Sequence, residues 1–357
     1  MVQVVLLVVY ATVVLANTYF FIKEFSTDFL NQYVSVYLAM LAIVITYASI
    51  LYQQPVMKKF EDECHLFKLD INAASRETSN RIKKESKNIT VFVKFHLIFI
   101  LIGGCVLIPM GRERKFQFGI TFFQDYCHSY VLEALYLLGY PVSAYVFVRL
   151  SHGLWYFVSH VKFKLYTILD ITKDISAEYD NHSDNDLIDC DEYQKIVKAR
   201  LLVIVTELTE LSRISNLAAS MLAGHLIPPL GISGLLMGLS VLSFIYLGNF
   251  LGYWCYFQNF MWCITAMSTL AIYVHCGQEF ENISEIVFDA IYSTRWSSFN
   301  KSNRKIVIIT MSIFQEPMKL KFTETMSCNY EIGVQLVKTV YSFATVMARL
   351  SDDQKDK

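Results

Sequence analysis

The sequence predicts an all-α integral membrane protein of seven transmembrane helices, with a cytosolic N-terminus, an extracellular C-terminus and helical extensions reaching into the cytosol. Three observations predict it. The 357 residues are 54% hydrophobic and only 18% charged, whereas soluble domains carry roughly 25% charged residues. Residues 214–278 contain no Asp, Glu, Lys or Arg, a stretch that crosses a bilayer twice at about 20 residues per crossing. Lys and Arg are also unevenly spread between alternate connections, which sets an orientation.

The first span, 2–22, opens as VQVVLLVVYATVVL. It lacks the basic start and small-residue cleavage site of a secretory signal, so it reads as a membrane helix. Apolar runs give further spans near 33–52, 90–109, 130–150, 216–243, 250–276 and 329–350. The fourth and seventh are the weakest, because one contains Glu133 and the other Glu331 and Lys338. Long connections (53–89, 151–215, 277–328) alternate with short ones (23–32, 110–129, 244–249), placing most of the mass outside the bilayer on one side.

Charge identifies that side. Eight Lys and Arg lie in 53–89, seven in 149–200 and six in 277–328, against seven in the opposite connections and the tail. The basic side is cytosolic by the positive-inside rule, so the chain starts inside and ends outside. The sequons at Asn88, Asn181, Asn282 and Asn300 all fall on the cytosolic side, away from the glycosylation machinery.

Two cytosolic segments have contrasting character. Residues 193–215 place Ile196, Ala199, Leu202, Val203, Leu208 and Leu211 at helical spacing, with Glu207, Glu210 and Arg213 elsewhere. They predict a helix that starts in the cytosol and enters the membrane. Residues 178–192 (EYDNHSDNDLIDCDE) are acidic and nearly free of aliphatics, and predict a mobile, solvated loop rather than a cation site built from His182, Asp180, Asp184 and Asp186.

Several function classes are excluded or disfavoured. A net charge of −1 gives no basic face for nucleic acid. The eight cysteines have no metal-binding spacing and read mostly as small buried hydrophobes. No GxSxG, HExxH or P-loop occurs, so the chain reads as a non-enzyme without cofactor or metal. The spans carry no acidic or His relay and no inverted repeat, which argues against a transporter. A G-protein-coupled receptor would need the opposite orientation, and neither Asp-Arg-Tyr after the third span nor Asn-Pro-x-x-Tyr in the seventh is present.

The last span carries the most information. Glu331, Gln335, Lys338, Ser342, Thr345 and Arg349 recur at steps of four and three, one polar stripe on an otherwise apolar helix. Such a stripe needs water or polar partners. It faces either a pore built by several subunits or other helices of the same chain. The outer halves of spans two, three, four and six are rich in aromatics and sulfur: Tyr33, Tyr37 and Met40; Phe99 and Met110; Tyr130, Tyr136 and Tyr140; Tyr253, Phe257 and Trp262. Together they suit a small apolar ligand, although helix packing or an interfacial aromatic belt would use the same residues.

The C-terminal third resembles the insect odorant receptors. From His275 to Phe322 the chain carries, in order, Cys276-Gly277-Gln278-Glu279, Ala290-Ile291-Tyr292, Trp296, Arg304-Lys305 opening a helix over 301–316, and Gln315 and Pro317 closing it. Lys338-Thr339-Val340-Tyr341-Ser342-Phe343 resembles the family's closing tract. Earlier segments match in span spacing and loop length. Family members carry a few dozen residues before the first span, whereas here it starts almost at Met1. The tail lacks the Thr-Tyr-to-Gln-Phe ending of the sister gustatory receptors.

The resemblance implies an odorant-binding subunit of a heteromeric, non-selective cation channel, completed by the co-receptor Orco into a heterotetramer in the plasma membrane of olfactory sensory neurons. It implies the following division. Residues 1–276 hold spans one to six, with the odorant pocket in their outer half among Tyr37, Met40, Phe99, Tyr136, Tyr140, Tyr253 and Phe257. Residues 277–328 are the cytosolic anchor, with Trp296, Arg304, Lys305, Gln315 and Pro317. Residues 329–350 line the pore, with Val346 and Leu350 as gate and Arg349, Thr345, Ser342 and Lys338 alongside. Residues 351–357 are an extracellular tail.

Overall fold

The computed structural model describes residues 2–23, scattered positions from 37 to 62, 74–109, 118–175, 177–179, 182–247, 253–315, 319–321 and 326–355; most side chains of 218–247 and 350–355 lie outside the description. Its named elements are helices. They are α1 (Val2–Lys23), α2 (Arg76–Val106), α3 (Tyr130–Lys173), α4 (Asp191–Leu247), α5 (Tyr253–Tyr292), α6 (Lys301–Ile313) and α7 (Tyr330–Lys355). Helical residues between Tyr37 and Tyr52 fall where the second span is expected. Three described segments, Gln3–Lys23, Arg76–Val106 and the helix starting at Tyr130, are long and apolar enough to cross a membrane.

Local chemistry explains the helix starts. Ser75 caps α2 by accepting the Thr78 amide at 3.2 Å, and Asn300 caps α6 by accepting the Asn303 amide at 3.0 Å. Asn329 accepts the Ile332 amide at 3.2 Å at the base of α7. Each side-chain oxygen satisfies an amide that the helix leaves unpaired. Asp170 on α3 accepts from the Ser75 amide at 3.0 Å and the Thr78 hydroxyl at 2.9 Å, so the start of α2 is tied to its neighbour. Glu133, the acidic residue that weakens the fourth span in the sequence, is buried and accepts from Gln124 at 2.9 Å.

α3 is the central element, packing against α1, α2, α4 and α5. Its first turns join an outer core with α1, Met40, Tyr47 and the short helical segment Phe118–Tyr126. Its remaining length joins a larger inner core with α4, α5, α6 and the start of α7. Gly104 makes close approach possible: a Cβ there would stand 2.6 Å from the backbone of Pro141 on α3.

Two expectations need correction. The helix predicted over 193–215 is part of the 57-residue α4, but its buried face is Tyr193, Val197, Leu201, Ile204, Leu208 and Leu211, while Leu202 and Val203 are about half exposed. The run LLVIV is apolar on every side, so spacing alone did not choose the face. The acidic segment is not a featureless loop. It contains the turn Ala177–Tyr179 and the helix Asp184–Ile188. Arg295 pairs with Asp184 and donates to the carbonyls of Tyr179 and His182, and Ser297 donates to Asp184 at 2.6 Å. The charge that suggested solvation is matched by a basic residue more than a hundred positions away.

Candidate functional site

An aromatic cluster fills the end of the bundle where α1 meets the start of α3. Tyr10 donates to the Tyr136 carbonyl at 3.1 Å, with the two rings 5.5 Å apart. The Tyr136 hydroxyl donates to Met40 Sδ at 3.7 Å and lies 3.3 Å from that of Tyr140. Tyr47 pairs with Ser143 at 3.2 Å, and Tyr37 with Thr18 at 3.0 Å. Phe123 packs on Tyr136 with ring centroids 6.0 Å apart. Gly139 makes room for this arrangement, because a Cβ there would stand 2.4 Å from the Tyr10 hydroxyl. The result is a packed apolar cluster carrying a few hydroxyls, each paired within it.

Of the seven residues expected around a ligand, the structure brings together Tyr37, Met40, Tyr136 and Tyr140. Phe99 is half-buried on α2. Tyr253 and Phe257, in the first turns of α5, are 95% and 44% exposed and stand apart from the cluster. Sequence reasoning missed Tyr10 and Tyr47, both almost fully buried within it. The available signal was a tyrosine hydroxyl in the middle of an aliphatic span, which demands a partner.

Among the described residues, the polar stripe of α7 is not absorbed by packing within the chain. Ile332 is buried, and Leu336 and Val340 are partly buried against the inner core. Glu331, Gln335, Lys338, Ser342 and Arg349 are exposed, and Thr345 is half-buried. Val346 is 56% exposed; the side chain of Leu350 lies outside the described residues. Within the stripe, Gln335 donates to Glu331 at 3.3 Å, and Thr345 donates to the Tyr341 carbonyl at 2.8 Å.

The segment after α5 is held by a buried residue that the sequence did not single out. Gln194 on α4 donates to the carbonyls of Leu187 at 2.8 Å and Ser298 at 2.9 Å. Its own oxygen accepts from the Asn300 amide and the Asn303 side chain, both at 2.9 Å. Around this hub, Trp296 opens a short helical turn and is 40% exposed. Arg304 donates to the Ser297 carbonyl, and Lys305 and Gln315 are exposed. The helix here begins at Lys301, capped by Asn300, so Arg304 and Lys305 sit in its second turn rather than opening it. It ends at Ile313, two residues before Gln315; Pro317 lies outside the described residues.

The middle of α5 links these parts to α7. His275 bonds the Tyr330 hydroxyl at 3.0 Å, and Cys328 Sγ donates to the Tyr273 carbonyl at 3.2 Å. Glu279 pairs with Lys162 of α3 at 2.7 Å, and Glu85 of α2 lies 3.8 Å from the same ammonium. Burial acts to lower the Lys162 pKa, but the bond to Glu279 and the nearby Tyr166, Glu279 and Glu85 outweigh it and hold the ammonium above its ordinary value. Glu85, Lys162 and Glu279 line a cavity of about 180 Å³ with Trp155 and His275.

A model of the family described as 7tm Odorant receptor matches residues 26–341. The chain belongs to the insect odorant receptor family. Odorant receptor 46a, isoform B, of Drosophila melanogaster is 33% identical over 63 residues; the match covers 17% of this chain and spans 16% of that relative's length. The insect olfactory receptor OR5 from Machilis hrabei shares the fold, with a TM-score of 0.68 at 10% identity over 97% of this chain and 88% of that one. The same receptor in complex with eugenol gives a TM-score of 0.68 at 11% identity over 96% and 88%. Its described elements are helices, three of them long and apolar enough to cross a membrane, as befits a member of this receptor family.

Proposed function

We propose that the chain is the odorant-binding subunit of a heteromeric, ligand-gated, non-selective cation channel completed by Orco in the plasma membrane of olfactory sensory neurons. It crosses the bilayer seven times, from a cytosolic N-terminus to an extracellular C-terminus. Family membership supports the receptor role, and the charge asymmetry of the connections supports the orientation. The observation that carries the channel reading is the exposed polar stripe of α7, which finds its water or polar partners only if α7 faces a shared aqueous pore. The ligand is a small, volatile, mainly apolar molecule, held near Tyr10, Met40, Tyr136 and Tyr140. The eugenol bound to the Machilis receptor is of this class. Occupation of the outer cluster favours an arrangement of the last helices that opens the pore, a shift in a closed–open equilibrium.

The test is antibody access to an epitope placed after Lys357, in intact and permeabilised cells co-expressing the co-receptor. Labelling of intact cells is the expected result and justifies screening volatile ligands by current recording. Labelling only after permeabilisation, with surface delivery shown separately, overturns the orientation and the pore assignment with it.

A further inference from the structure

The cavity between α2, α3 and α5 lies where these helices pass from apolar to charged sequence. Glu85, Asn88 and Ile89 line it from α2, between the basic positions Arg81, Lys83, Lys84 and Lys87 and the mainly apolar run 91–106. Glu279 lines it from α5 and is the first charged residue after the uncharged stretch 214–278. Trp155 and Lys162 line it from α3, a ring and an ammonium of the kind that collect where hydrocarbon meets headgroups. Its volume of about 180 Å³ is below the roughly 300–1,000 Å³ of a site for a whole drug-sized ligand. It holds a small polar group, or one end of a larger molecule.

The charges around it are matched one to one. Arg81 pairs with Glu85 at 3.0 Å and Lys162 with Glu279 at 2.7 Å, and the Tyr166 hydroxyl donates to Glu85 at 3.3 Å. Lys162 meets Glu279 through Oε2, and among the described residues nothing donates to Oε1. That oxygen is left to accept from a cation, and the Glu279 side chain is 25% open to solvent. Trp155 offers its ring face to the same charge. A primary ammonium satisfies both, donating to the carboxylate while its charge lies against the ring. A trimethylammonium has no proton to donate. Because the surrounding charges already cancel, the ligand must bring its own anion rather than a net charge.

The surface of α2 beside the cavity supplies the remaining chemistry. Asn88 is exposed, and Lys84, also exposed, lies one turn before it on the same face, so an amide and an ammonium await a phosphodiester. One turn further, Phe92 and Phe95 begin an exposed apolar strip that continues to Ile102, and the Phe92 ring stands 4.9 Å from that of Trp155. We propose that this cavity binds the headgroup of a membrane phospholipid that carries a primary ammonium and no carboxylate, phosphatidylethanolamine. Its ammonium sits on Glu279 and Trp155, its phosphate at Asn88 and Lys84, and an acyl chain runs along Phe92 and Phe95. A serine headgroup would bring a second carboxylate against Glu279. His275 lines the same cavity and bonds Tyr330 of α7, so the lipid and α7 share a wall. The leaflet, that facing the cytosol, rests on the orientation proposed above; the binding itself does not.

The test is lipid retention by the full-length chain in its membrane assembly, independent of odorant and current. The protein is reconstituted in phosphatidylcholine bilayers containing phosphatidylethanolamine or phosphatidylserine, extracted, and weighed by native mass spectrometry. Phosphatidylethanolamine is expected to stay bound in preference to the other two. Glu279→Gln keeps the shape of the side chain and cuts retention about ten-fold, the loss of one charge-assisted hydrogen bond. Asn88→Leu weakens retention without touching the Lys162 pair, so a folding defect in the first variant does not decide the result. Equal retention of the three lipids, or retention unchanged in either variant, overturns the proposal. Displacement of the lipid by free phosphoethanolamine would assign the cavity to a soluble amine and overturn the lipid source.

Discussion

The carbonyl oxygen of Cys328 occupies the space where a side chain on Gly277 would begin: a Cβ there would stand 1.5 Å from it. Only glycine lets the segment leading into α7 lie directly on α5. Cys328 Sγ then reaches the Tyr273 carbonyl, and Gln278 Oε1 faces the Tyr330 amide at 3.5 Å. Gly277→Ala forces the two backbones apart, an overpacking cost of about 1–3 kcal/mol. The expected outcome is a lower unfolding temperature and reduced surface abundance, measured by surface biotinylation against Gly153→Ala, where the added methyl meets open space.

Gln194 is the hub of the segment after α5. Gln194→Leu keeps the bulk of the side chain but takes the side-chain acceptor from the Asn300 amide and the donor from the Leu187 and Ser298 carbonyls, and each stranded group costs about 1–3 kcal/mol. Amide hydrogen exchange in 296–303 is expected to accelerate while α1 and the outer half of α3 keep their protection. Uniform acceleration throughout would show that Gln194 does not act locally.

Asp184 gives the acidic segment a pH dependence of defined sign. The Ser297 hydroxyl bond, followed by the Arg295 bond and charge, holds its carboxyl below the ordinary value of 3.8. Because the folded value is depressed, its contribution to holding 177–190 is fully present above about the ordinary carboxyl value and is lost as pH falls through the lower, folded one. Proteolysis of this segment by an acid-active protease should rise over that window. In Asp184→Asn it should be raised already at neutral pH and respond less to acid.

Tyr136→Phe removes a hydroxyl that meets Met40 and Tyr140 but keeps the ring. A single hydrogen bond of about 1 kcal/mol corresponds to roughly a five-fold change in affinity. The odorant concentration–response curve is expected to shift by that order with maximal current and surface level retained. An unchanged curve for every agonist would remove Tyr136 from the ligand site.

Val346→Glu and Leu350→Glu test the gate. Added carboxylates near the outer end of α7 are expected to alter cation selectivity or closed-state leak without loss of surface expression, read by reversal potentials. Unchanged currents in both, with the complex at the surface, would place the gate elsewhere.

The sequence by itself determined the membrane class and the helical character, because these depend on composition and on distributions along one dimension. It also carried the motif around Gly277 that marks the family. It could not choose the buried face of α4, where LLVIV is apolar all round and burial is non-directional. Nor could it pair Glu133 with Gln124, Asp184 with Arg295, or Glu279 with Lys162. Those polar groups had to find partners on other segments, since an unmatched one in a dry interior is costly. Only the tertiary structure decided which distant residues met that requirement. It was also the fold that drew Tyr10 and Tyr47 into the outer cluster and left Tyr253 and Phe257 outside it.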